Sequence, residues 1–159
     1  YIGEFSKLIR QTLEFSSKQS VMLSDEIAYL ERYIALENLR RNKKVECVIS
    51  THLNDVTHTI EIPPLLIQPI VENVFIHAFD SQSIDPKIEI EFICKNDVII
   101  CSIIDNGKGF IKDLDTKQSK GIQLVDERIR LLTGADEKMI QILPNLKGGT
   151  IIILTIPLR

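Results

Sequence analysis

The feature that most restricts the fold of this chain is a pair of apolar strand patterns, Lys87–Lys95 and Val98–Ile104, separated by Asn96-Asp97. Asn and Asp tolerate the backbone of a tight turn, so the pair reads as a hairpin. A lone hairpin is not stable in water and needs further strands and a covering layer. The flanking sequence offers both. Met139–Leu143 and Gly149–Pro157 read as a closing hairpin with its turn through Asn145–Gly148. Helical patterns run over roughly Leu65–Phe79 and from Gly121 to about Thr133. The second has Ile122, Val125, Ile129 and Leu132 as its apolar stripe and Gly134 as its C-terminal cap. Val45–Ser50 and Thr57–Ile62 read as two short strands around an Asn54-Asp55 turn. Pro63-Pro64 stops the latter, and Pro69 predicts an irregular or late first turn in the helix that follows. The expected class is α+β, a two-layer α/β sandwich with a mixed sheet.

A helical hairpin precedes it. Ile2, Phe5, Leu8, Ile9, Leu13 and Phe15 recur at helical spacing until Ser16-Ser17-Lys18-Gln19-Ser20 interrupts them. A second helix is expected from an N-cap at Ser24, with Asp25 and Glu26 favourably placed against the helix dipole. It ends near the cations Arg40, Arg41, Lys43 and Lys44. The expected division is a helical segment, 1–43, and the sandwich, 44–159. The hairpin packs either on the rest of the chain or on a second copy, and the apolar stripe of the first helix makes a homodimer the expectation.

With 159 residues, 44% of them apolar, the chain can bury a real core. Its net charge of −3 gives no electrostatic reason to expect nucleic acid or an anionic membrane as partner. Cys47, Cys94 and Cys101 are odd in number and form no C-x-x-C pair. Buried reduced thiols and a reducing compartment are therefore expected, rather than a disulfide framework or zinc site. No apolar run is long enough to span a bilayer. The chain opens at Tyr1 inside a helical pattern and reads as an excerpt, with any membrane segment expected upstream.

Four segments carry candidate chemistry, and each has a plain alternative. On the Leu65 helix, Gln68, Glu72, Asn73 and His77 share the face opposite Ile67, Ile70, Val71, Val74, Phe75 and Ala78. That face is either simply solvated or suited to a nucleotide triphosphate. An Asn oxygen can ligate Mg²⁺, and a neighbouring carboxylate can accept a proton. Asp105-Asn106-Gly107-Lys108-Gly109 follows an apolar strand and is either a hairpin turn or a site for a base. There the carboxylate would take the amino group and bare glycine backbone would admit the ring. Ser119-Lys120-Gly121 is an ordinary helix start or a phosphate-binding one. Gly148-Gly149-Thr150 is a turn or a pocket edge.

The order of these segments resembles the Bergerat ATP-binding fold shared by DNA gyrase, MutL-type repair proteins and histidine kinases. The P-loop pattern is absent. Within that group the chain is most similar to the LytS-like sensor histidine kinases, on Ile62-Pro-Pro-Leu-Leu-Ile-Gln-Pro-Ile-Val-Glu-Asn-Val-Phe-Ile-His77 and on Ser24–Arg40. The resemblance covers essentially the whole chain and implies a role for each matching residue. Asn73 would ligate Mg²⁺, Glu72 would polarise the accepting histidine, and His77 would line the phosphate side. Asp105 would bind the adenine amino group, with Gly107 and Gly109 as pocket wall and Thr150 near the base. Gly121 would stand beside the phosphates at the foot of a lid over Lys112–Lys120. The implied cofactors are ATP and Mg²⁺. The implied partners are an upstream phosphoacceptor histidine and a response regulator receiver domain. The implied setting is the cytoplasmic side of a bacterial inner-membrane protein.

Three positions depart from the family pattern. Ile76 stands where Lys is common, Gln123 replaces the second Gly after the lid, and Asp126 stands where Asn is common. None of His52, His58 and His77 has acceptor surroundings, so the acceptor is expected upstream of Tyr1. The first two read as surface histidines of a hairpin. Two other readings are weighed. One is a degenerate module that dimerises and relays a signal without kinase activity. The other is an anti-sigma-type serine kinase of the same fold, which the helical pair and the Gln-Pro…Glu-Asn segment disfavour.

Overall fold

The computed structural model describes residues 2–53, 56–109 and 120–158. Helix α1 (Ile2–Ser16) leads through the two-residue strand β1 (Val21–Met22) into α2 (Leu23–Leu39). Strand β2 (Glu46–Thr51), a 3₁₀ turn at Val56–His58 and β3 (Glu61–Ile62) precede helix α3 (Gln68–His77). Strands β4 (Lys87–Lys95) and β5 (Val98–Asp105) form the expected hairpin. Helix α4 (Lys120–Thr133) and strands β6 (Ile140–Pro144) and β7 (Thr150–Pro157) complete the chain.

The main sheet has the order β2-β4-β5-β7-β6 and is mixed, with β2 parallel to β4 and the remaining pairs antiparallel. Its strands bury one face only. Ile88, Ile90 and Phe92 alternate with more exposed neighbours on β4, as do Ile99, Cys101 and Ile103 on β5 and Ile152, Leu154 and Ile156 on β7. Register stacks Ile90, Ile103 and Ile152 in one row and Phe92, Cys101 and Leu154 in the next. Period-2 alternation of this kind puts one face on a covering layer and the other toward water. Ile70, Val71, Val74 and Phe75 of α3 and Ile122, Val125 and Ile129 of α4 join these strand residues in one core. This is the two-layer α/β sandwich with a mixed sheet that the sequence predicts.

The predicted hairpin of Val45–Ser50 with Thr57–Ile62 does not form. β2 pairs in parallel with β4, while β3 pairs with β1 in a separate two-stranded ribbon. Short apolar runs carry no information about partner choice, and here the partners are non-local. His52 and His58 are exposed, but not on a hairpin; His52 Nε2 lies 2.9 Å from Glu91 of the neighbouring strand β4. Only Cys101 is fully buried; Cys47 is partly covered and Cys94 exposed, all three free.

Ser24 does not cap α2, which starts one residue earlier from an extended Met22 without a side-chain cap. Leu23, Glu26, Leu30, Tyr33 and Ile34 face inward at helical spacing. The apolar members of that stripe belong to the same core as the sheet. By contrast α1 leaves Phe5, Ile9 and Leu13 exposed and buries Phe15 against Tyr29. Among the described residues, no helix is long and apolar enough to cross a membrane.

Candidate functional site

Asp105 occupies the last position of β5, in register with Ile99, Cys101 and Ile103 on the covered face. The alternation that buries those residues buries a carboxylate at the strand end; Asp105 is 2% exposed. The Gly107 amide donates to Asp105 Oδ1 at 2.8 Å. The amide and hydroxyl of Thr150 also favour the charged form of this carboxyl. Burial nevertheless lifts its pKa above the usual aspartate range, and these donors only partly offset the lift. A carboxylate accepts about four hydrogen bonds. The carboxyl therefore keeps acceptor capacity beyond the Gly107 amide.

The glycines close this corner. A side chain at Gly107 would overlap the carbonyl of Ala78, the C-cap of α3, and that carbonyl also accepts the Lys108 amide at 3.0 Å. A Cβ at Gly149 would overlap the Asp105 carbonyl, and Gly149 has φ +92°. Gly109, at φ +79°, faces the Gly149 backbone. Asn145 reaches from the β6–β7 turn to the Asp105 carbonyl at 3.2 Å. The Asp105–Gly109 loop, the Gly148-Gly149-Thr150 turn and the end of α3 thus converge, and Asp105, Gly107, Gly109 and Thr150 form one cluster.

The polar face of α3 approaches this corner through its C-terminal end. His77 immediately precedes Ala78 and is exposed. Asn73, half-buried one turn earlier, donates Nδ2 to the Pro69 carbonyl at 2.9 Å. That bond fixes the amide and leaves its oxygen as the acceptor end. Glu72 is exposed, with Gln68 Nε2 at 3.5 Å from its Oε2. No described hydrogen bond links Glu72, Asn73 or His77 to Asp105. Gly121 lies in the first turn of α4, which packs on α3. Of the expected lid, residues 112–119 lie outside the described residues.

As expected from Pro69, α3 starts at Gln68 rather than Leu65, with the proline at its beginning. Leu65 has φ +57°, and the amides of Leu65, Leu66 and Ile67 all donate to Glu26. Glu26 stands in the first turn of α2, as expected, and from there its buried carboxylate takes on a second role as the cap of α3. Sequence reading missed it, although a carboxylate spaced with Leu23 and Leu30 on an apolar stripe is a detectable signal. Asp126 has a structural task as well. Its Oδ1 accepts the amides of Met139 at 2.8 Å and Ile140 at 3.1 Å, tying α4 to β6. Ile76 is 58% exposed and Gln123 is exposed.

Residues 1–45 match the family model described as histidine kinase. Over 165 residues the chain is 27% identical to the sensor protein LytS of Bacillus cereus, covering 97% of this chain and 28% of that protein. It is 29% identical over 109 residues to the sensor protein kinase HptS of Staphylococcus aureus, covering 68% of this chain and 20% of that protein. The histidine kinase domain of the Erythrobacter litoralis blue-light activated histidine kinase superposes with a TM-score of 0.65 at 21% identity, covering 95% of this chain and 70% of that one. The chain therefore spans a little over a quarter of the length of the first of these relatives.

Proposed function

We propose, for a chain that is by sequence and fold a relative of the LytS-like sensor histidine kinases, that it is the part that binds ATP and presents its γ-phosphoryl group to a histidine upstream of Tyr1. The observation that carries this reading is the convergence of Asp105, Gly107, Gly109 and Thr150 beside the end of the helix bearing Glu72, Asn73 and His77. A buried carboxylate with acceptor capacity in hand suits an adenine amino group, and bare glycine backbone lets a ring approach. Thr150, through its amide and hydroxyl, favours the charged form of that carboxylate.

The donor set of α3 fits a hard cation that is held mainly by phosphate. Among the described residues there is no cluster of three or more His, Cys, Asp and Glu that would sequester a metal by itself. Asn73 offers a single fixed oxygen, which suits Mg²⁺. When bound, Mg²⁺ neutralises charge on the phosphates. Asn73 would hold the ion, His77 would line the phosphate side, and Gly121 would place α4 amides near the phosphates. Glu72, free of a strong partner, would accept or orient the proton of the incoming imidazole.

The division at 43/44 belongs to the proposal, with α2 sharing the core of the sheet. The histidine-bearing segment, a receiver domain, a second copy of the chain and a cytoplasmic setting beneath a bacterial inner membrane complete the proposal. Exposed Ile76 and Gln123 favour a second reading, a module that relays a signal without transferring phosphate. The two readings separate in the full sensor protein incubated with labelled ATP and Mg²⁺. Acid-labile label on a histidine is expected, and Asn73→Ala should lower its rate by about a hundredfold or more. Absence of label, or label indifferent to Asn73, contradicts the kinase reading.

A further inference from the structure

Helix α3 is held at both ends by side chains from one other segment. At its start, the Glu26 carboxylate is 1% exposed. It accepts the Leu65 amide on Oε2 at 3.0 Å and the Leu66 and Ile67 amides on Oε1 at 3.2 and 3.5 Å. These are the three amides immediately ahead of Gln68. Leucine adopts the left-handed conformation of Leu65 only where its surroundings impose it. One turn further along α2, the Tyr29 hydroxyl donates to Gln68 Oε1 at 3.2 Å. At the other end of α3, Arg41 donates through Nη2 to the Phe75 carbonyl. Its guanidinium also lies 4.9 Å from the centre of the Phe75 ring.

The signs are those the helix dipole favours, an anion at the N-terminus and a cation at the C-terminus. An apolar side chain in place of Glu26 would fill the space without the desolvation cost of a buried charge. What the carboxylate adds is direction, because three converging donors define the path of 65–67. Two fixed ends set both the rotation of a short helix and its position along its axis. The face that rotation aims carries Glu72 and Asn73.

We propose that Glu26 and Arg41 are positioning residues, through which the α2 segment sets the orientation of the α3 face bearing Glu72 and Asn73. The functional consequence rests on the nucleotide reading; the two anchor points rest on the hydrogen bonds alone. Asp105 accepts the Gly107 amide, and no described hydrogen bond joins it to either anchor. Displacement of α2 would therefore alter the phosphate side and leave the base side in place.

The test uses the 159-residue chain with Glu26→Gln, Arg41→Lys and, as a control on the exposed face of α2, Glu31→Gln. Amide hydrogen exchange is measured on all, together with affinities for ATP with Mg²⁺ and for ADP without it. Both anchor variants should exchange at least about tenfold faster over 65–77 with β4 and β5 unchanged. Both should lose about fivefold or more in Mg²⁺-ATP affinity while metal-free ADP stays within about twofold. Glu31→Gln should match the parent. Uniformly faster exchange, no change, or equal losses for both nucleotides would overturn the inference. Should the parent bind no nucleotide, the ATP reading fails and the exchange pattern still decides the anchors. Should Glu26→Gln not fold, Arg41→Lys carries both readouts.

Discussion

Asp105→Asn is expected to lower ATP affinity by about 30- to 100-fold while the chain still folds. The magnitude is that of losing one charge-assisted hydrogen bond in a buried site. The amide is nearly the same shape and can still accept from Gly107, but it presents a donor where adenine also presents one. Displacement of a fluorescent nucleotide measures the affinity, and thermal melting checks the fold. Linkage sets the sign of the pH effect. Burial raises the Asp105 pKa in the folded chain. The stability linked to this group is therefore fully present below its unfolded pKa and lost as pH rises through the raised folded value. Asp105→Asn should flatten that part of the curve of melting temperature against pH. An unchanged affinity would remove Asp105 from the base site.

The second large effect is on the fold at the same corner. Gly149→Ala should destabilise the chain by about 3–5 kcal/mol, since the residue has φ +92° and its new methyl group would overlap the Asp105 carbonyl. Gly148 has φ +98° but nothing within 4 Å of an added Cβ. Gly148→Ala should therefore cost only the strain of a left-handed alanine, about 1–2 kcal/mol. Urea denaturation of the two variants separates conformation from collision. Equal losses would mean that the close approach of the turn to β5 contributes nothing.

The contrast between these two glycines is visible only in the structure. The β4–β5 hairpin was legible because Asn96 and Asp97, at φ +50° and +60°, suit its turn and the strands alternate cleanly. The inward register of Asp105 follows from the same alternation. The apolar face of α3 was legible from 3.6-residue periodicity, and its late start from Pro69. Partner choice was not legible for β2, because two residues of β3 pair with β1 instead, and pairing depends on neighbours far away in the chain. The second role of Glu26 was not legible for a related reason. Its local position fits a helix N-terminus, and the donors that occupy it lie 39 to 41 residues downstream. Asp126 is a departure from the family pattern in sequence, and its structural task shows only in its amide partners Met139, just ahead of β6, and Ile140, the first residue of β6.

The most direct test of the nucleotide site is calorimetric titration of the chain with ATP, in the presence and absence of Mg²⁺, with GTP as the control for base recognition. Saturable ATP binding is expected with a Kd in the range of about 1 μM to 1 mM, tightened by Mg²⁺ and much weaker for GTP, whose base lacks the amino group facing Asp105. Absence of heat at millimolar ATP, or equal binding of ATP and GTP, would contradict it.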